Sequence, residues 1–121
     1  MELFERFETQ LKADPKTIVF TEGPDARILS AASRLLAGGV LKVILLGNAD
    51  AVNKAAAEGG FDITGAEIID PASYEGLDEM VAKMVELRKG KMTEEQCRAA
   101  MAKGNYFGTM LVKMGKADCL L

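Results

Sequence analysis

The chain of 121 residues contains no histidine and no tryptophan, and only two cysteines and three prolines. The missing histidine restricts the chemistry most. It removes histidine-activated nucleophiles, imidazole general bases and histidine-ligated zinc from these residues. Cys97 and Cys119 lie too far apart in sequence to form a metal knuckle, and they do not make a disulfide framework. A reduced, cytoplasmic setting is therefore expected. No apolar run approaches the ~18 residues of a membrane span. The opening stretch MELFERFETQLKADP lacks the basic start, apolar run and cleavage site of a signal peptide, and it patterns as an amphipathic helix. Neither GxGxxG nor GxxxxGK[ST] occurs, so a dinucleotide fingerprint and a P-loop are both missing. Fifteen basic against eighteen acidic residues give a net charge of −3, which creates no broad field for nucleic acid.

What remains is an alternation of apolar runs and helical patterns. Hydrophobic residues at 49% and charged residues at 27% suit one globular domain or part of one. Ile18-Val19-Phe20 reads as a buried strand. It is followed by a helical stripe of Ile28, Leu29, Ala32, Leu35 and Leu36 that stops at Gly38-Gly39. Val43 to Leu46 is a second strand, and Asn48 is placed to cap a helix from Ala49 to Glu58. Ala66 to Ile69 is a third strand. Leu77, Met80, Val81, Met84 and Val85 then mark a helix running to about Lys89. Thr93 and Gln96 have the spacing of a capping box. Phe107, Met110, Leu111 and Met114 mark a further helix, and Ala117 to Leu121 reads as a strand cut off as it begins. Strands that are apolar throughout and separated by helices predict an α/β fold. The expected form is a three-layer αβα arrangement with a mainly parallel sheet.

With histidine gone, chemistry must rest on carboxylates, Arg, Lys, hydroxyls and backbone amides. The segment TEGPDARI places Glu22, Asp25 and Arg27 at the carboxyl end of a strand, where open parallel sheets collect ligands. The same residues could simply start the helix, with Asp25 complementing its dipole. Arg88 continues the apolar stripe of its helix, which puts a guanidinium on the inward face at the C-terminal end. It serves either as a favourable C-terminal charge or as a phosphate contact, for which the planar donor fork of Arg is suited. Cys97 and Cys119 both read as buried thiols. Gly108 sits inside a helical pattern, which implies close helix–sheet packing.

Three blocks stand in order: TEGPDARILSAASRLLAGGVLKVILLGN, ELRKGKMT and NYFGTMLVKMGKAD. Together they resemble the N-terminal part of the phosphate acetyltransferase (phosphotransacetylase) family. The resemblance implies two α/β domains with a cleft between them and a homodimer at full length. This chain would be most of the first domain, cut at Leu121, with the second domain absent. It implies transfer of an acetyl group between coenzyme A and inorganic phosphate, with no metal and no prosthetic group. The partners are then small molecules: coenzyme A, acetyl phosphate and phosphate, with neither nucleic acid nor membrane. In the family an aspartate deprotonates the coenzyme A thiol, and nearby Arg and Ser groups stabilise the developing oxyanion. Those groups belong to later segments, so no catalytic residue is expected here and these residues alone are expected to be inactive. One role transfers by position: Arg88, in the ELRK block, is expected to bind coenzyme A. Cys119 departs from the glycine usual in the family. A phosphate butyryltransferase, or a noncatalytic α/β module binding coenzyme A or a phosphorylated metabolite, are the alternatives.

Overall fold

A computed structural model describes residues 16–39 and 41–121. The amphipathic helix expected at the N-terminus lies outside them. Strands β1 (Lys16–Phe20), β2 (Leu41–Leu46), β3 (Glu67–Ile69) and β4 (Cys119–Leu120) form one sheet in the order β3-β2-β1-β4. Every neighbouring pair is parallel, with Ile18 opposite both Val43 and Cys119. Helices α1 (Ala26–Gly38) and α2 (Ala49–Gly59) connect β1 to β2 and β2 to β3. Three helices, α3 (Leu77–Arg88), α4 (Glu94–Ala100) and α5 (Gly104–Lys113), lie between β3 and β4.

Successive strand residues point to opposite faces, so a strand buried on both sides must be apolar at every position. Phe20, Val43 and Leu45 pack with Leu29 and Ala32 of α1 and with Val52 and Ala56 of α2. Val19, Ile44, Leu46 and Ile69 point the other way, into a cluster with Met80, Met84, Cys97, Phe107 and Leu111. The expected three-layer αβα arrangement is the result, with α1 and α2 on one face and α3, α4 and α5 on the other.

Local chemistry sets the helix boundaries. Asn48 Oδ1 accepts from Ala51 N at 3.0 Å and starts α2. Thr93 and Gln96 form the reciprocal capping box at the head of α4. Gly39, at φ 68°, takes the left-handed conformation that closes α1, a conformation costly for residues with a Cβ. The close approach expected at Gly108 is present. A Cβ there would run into Leu120 Cδ1 and lie 3.3 Å from Thr21 Cγ2. At Gly104, one turn earlier, it would lie 2.7 Å from the Thr21 carbonyl oxygen. Two glycines on one side of α5 therefore let that helix settle directly on the end of β1.

The last strand is shorter than the apolar run suggests. Asp118 does not extend the apolar run. It anchors the start of β1 instead, its N–H donating to the Thr17 carbonyl at 2.9 Å and its carboxylate accepting from Thr17 N at 2.7 Å. Cys97 is fully buried, as expected, but Cys119 is exposed. Leu120 points towards α5, so strand alternation turns Cys119 to the opposite face. There, among the described residues, β4 is the outermost strand of the sheet.

Candidate functional site

The β1–α1 turn is built into the fold more tightly than its charges suggest. Gly23 N donates to the Leu46 carbonyl at 2.9 Å, which locks the turn to the end of β2. Asp25 is the N-cap of α1, its Oδ1 accepting from Arg27 N at 2.8 Å and more weakly from Ile28 N at 3.4 Å. The Arg27 N–H, followed by the Arg27 guanidinium, holds the Asp25 carboxyl below the usual carboxylate range. The Arg27 side chain is 92% exposed and reaches back to Asp25 Oδ2 at 3.5 Å. Of the two readings of Asp25 and Arg27, helix initiation is the one that the contacts support.

Beside this turn, the carboxyl ends of β1, β2 and β3 open into a crevice of about 430 Å³. Thr21, Gly47 and Asp70 contribute from the strand ends, and Leu77, Arg98 and Gly104 from the helical layer. This is the place in a parallel sheet where ligands gather. Its charges are already engaged, however. Arg98 holds Asp78 at 2.9 Å and Glu94 at 3.5 Å, and the bond to Asp78 keeps its guanidinium pKa above the ordinary value. Asp70 accepts from Ala72 N at 2.9 Å and caps the short helical turn Pro71–Ser73.

Arg88 lies elsewhere. It is eleven residues beyond Leu77 on α3, roughly 16 Å away at about 1.5 Å per residue, so the crevice and Arg88 are not brought together. The stripe that leads to it is buried at Met80, Val81 and Met84, but Arg88 itself is exposed. The expected inward-facing guanidinium thus emerges at the helix end, because α3 stops there and Lys89 turns the chain at φ 51°. Arg88 lines a groove of about 340 Å³ between α3 and α5, with Met84 and Leu87 on its own helix. Tyr106, Thr109, Met110 and Lys113 form the opposite wall. Sequence reading missed Tyr106 and Lys113. Their only sequence signal is that they share one helix face with Met110, and no spacing shows which helix that face meets.

Arg88 and Lys113 form no ion pair with a carboxylate among the described residues. None of the groove's lining residues is acidic. Among the described residues no cluster of three or more His, Cys, Asp or Glu side chains is arranged to hold a metal. Nor is any described helix long and apolar enough to cross a membrane.

Residues 2–121 match the model of one family, described as phosphate acetyl/butaryl transferase. A phosphate acetyltransferase of Bacillus subtilis is 44% identical over 120 residues, covering 99% of this chain and 37% of the relative. A phosphate acetyltransferase of Staphylococcus aureus is 46% identical over 104 residues, covering 86% of this chain and 32% of that protein. Among solved structures, the EutD phosphotransacetylase from Staphylococcus aureus superposes with a TM-score of 0.90 at 42% identity. A phosphotransacetylase from Streptococcus pyogenes superposes at 0.88 and 39%. Each structural match covers 98% of this chain and 36% of the other. The chain thus spans little more than a third of the length of these relatives.

Proposed function

Because the chain belongs to the phosphate acetyl/butaryl transferase family, we propose that the protein transfers an acetyl group between coenzyme A and inorganic phosphate. In the acetyl-CoA-forming direction the coenzyme A thiol loses its proton to a base, and the thiolate sulfur attacks the acetyl carbonyl carbon. The carbon–oxygen bond to phosphate then breaks and inorganic phosphate leaves. Coenzyme A is a substrate here, and the reaction is assigned no metal or prosthetic group. Arg88 is the residue of this chain assigned to coenzyme A. The proton acceptor and the oxyanion-stabilising groups are assigned to segments that the relatives have beyond the part matched here. The enzyme is assigned a cytoplasmic setting, a second domain and a homodimeric assembly.

One observation supports the coenzyme assignment above the others. Arg88 lines a groove with no acidic residue among its described lining and forms no ion pair among the described residues, whereas Arg27 and Arg98 are both engaged by acids. A guanidinium in that position suits a ligand that carries phosphate. The test is thioester formation from acetyl phosphate and coenzyme A by the intact protein, measured beside a polypeptide of these 121 residues. Turnover by the intact protein alone is expected. Normal turnover by the short polypeptide would place the base within it and overturn the division of roles. The family also includes butyryl transfer, so butyryl phosphate belongs in the same assay. Faster turnover with it than with acetyl phosphate would reassign the acyl group.

A further inference from the structure

We infer that the strand-end crevice takes the acyl chain of the substrate, and that Ala72, Leu77 and Ala102 set the chain length it admits. The inference rests on the acyl-transfer reading above and names the residues that measure the acyl group. The apolar lining of the crevice is Leu46, Pro71, Ala72, Leu77, Met101 and Ala102. Leu46 and Met101 belong to the core, at 2% and 1% exposed, and form its floor. Leu77 is half-buried, and Ala72 and Ala102 are exposed on the walls. Ala72 follows β3 and Ala102 joins α4 to α5, so separate segments meet around one opening.

The chemistry of the lining selects one part of the substrate. Its charged side chains, Asp70 and Arg98, are engaged within the fold: Asp70 accepts from Ala72 N, and Arg98 holds Asp78 and Glu94. A surface of this kind favours a group without charge and without hydrogen bonds to satisfy. In an acyl phosphate or acyl-coenzyme A that group is the hydrocarbon of the acyl chain. The phosphates are charged, and the pantetheine arm carries amides that require partners. The family includes acetyl and butyryl transfer, two reactions that differ in the length of this chain. Size agrees, because about 430 Å³ lies within the range of small-ligand sites and leaves room beyond a single methyl group. Position agrees as well. The Leu121 carbonyl at the end of β4 accepts from the N–H of Thr21, on the crevice rim, at 3.0 Å. The relatives are much longer than the part matched here, and a segment continuing from Leu121 leaves beside this opening. A base and oxyanion donors on such a segment reach a carbonyl held at the mouth while its chain points inward.

The experiment measures kcat/KM of the intact protein for acetyl, propionyl and butyryl phosphate at saturating coenzyme A. It compares Ala72→Leu, Ala102→Val, Ala102→Leu and Leu77→Ala with the wild type. The readout is the ratio of each longer substrate to acetyl phosphate, in which any loss of folded protein cancels. Ala102→Leu is expected to lower the butyryl-to-acetyl ratio by about ten-fold, and Ala102→Val by less. Ala72→Leu should act in the same direction, and Leu77→Ala should raise the ratio by several-fold. Propionyl phosphate should fall between the other two. If the ratios keep their wild-type values in all four variants while the wild type turns over acetyl phosphate, the inference is overturned and the acyl-transfer reading stands. A lower urea midpoint in the filled variants with unchanged ratios overturns it too, by showing that another part of the protein packs into the crevice. Absence of turnover by the wild type with all three acyl phosphates removes the acyl-transfer reading itself, and the inference with it.

Discussion

In the strand-end crevice Arg98 is held by Asp78 and Glu94, whereas in the α3–α5 groove Arg88 and Lys113 meet no carboxylate among the described residues. The crevice has the better position by the general rule for parallel sheets. The groove has the better chemistry. Position at the carboxyl ends of strands says where a concavity forms, because chain reversals there leave loops and helix ends facing one another. It does not say that the polar groups are free to bind a ligand. In this protein the polar side chains Asp25, Asp70 and Arg98 near the strand ends cap helices and tie helices together. Arg88, at the opposite end of α3, forms no ion pair with a carboxylate among the described residues.

The strongest test of this contrast compares two arginines. Arg88→Ala in the intact protein is expected to raise KM for coenzyme A by about ten- to a hundred-fold, the loss of a charge-assisted hydrogen bond, with a smaller change for acetyl phosphate. Arg98→Ala is expected to change neither KM by more than about two-fold, because its partners are exposed carboxylates. Equal effects from the two would remove the distinction between crevice and groove.

The next largest effect concerns α5, which both surfaces share. Gly104→Ala places a methyl 2.7 Å from a backbone oxygen that cannot rotate away. Overpacking of this kind costs about 1–3 kcal/mol, read as a lower midpoint in urea with an unchanged slope. A neutral result would mean that α5 can shift on the sheet, and the groove could not then be a fixed site. Thr93→Ala removes half of the capping box of α4, the helix that carries Arg98. A loss of about 1 kcal/mol is expected, with coenzyme A binding unaffected.

Much of the fold was legible in the sequence because its determinants are local. Asn48, Thr93, Gln96 and the Gly38-Gly39 pair act within one turn of their own positions, and strands that are apolar throughout specify a sheet covered on both faces. The site was legible only in part. Arg88 could be placed on its helix, but its exposure depends on where α3 ends and on a neighbour that spacing cannot name. Lys113 and Tyr106 acquire meaning only when α5 lies beside α3. Arg98 likewise spans two helices to reach Asp78, and its pair with Glu94, four residues away, is the part visible in one dimension. Cys119 shows the same limit: strand alternation gives its side, but only tertiary packing decides whether a helix covers that side.

The smallest expected effect is the acid response of the β1–α1 turn, and it tests whether that turn belongs to the fold or to a ligand site. Asp25 has a folded-state pKa below its ordinary 3.8, because the Arg27 N–H and guanidinium favour the ionised carboxylate. A depressed carboxylate stabilises the fold when the pH is above the unfolded value, and that contribution is lost as the pH falls through the folded value. Asn is as good a cap as Asp but does not titrate, so Asp25→Asn keeps the hydrogen bonds and removes the charge. Wild type should therefore be slightly more stable than Asp25→Asn above about pH 5, and the difference should shrink steadily below about pH 4. Added salt should reduce the gap at neutral pH as well, since the pair with Arg27 is exposed. Coenzyme A affinity in the intact protein should be the same in both. A change in affinity without a change in stability would return Asp25 to the ligand and break the separation between a turn that holds the fold and a groove proposed for the substrate.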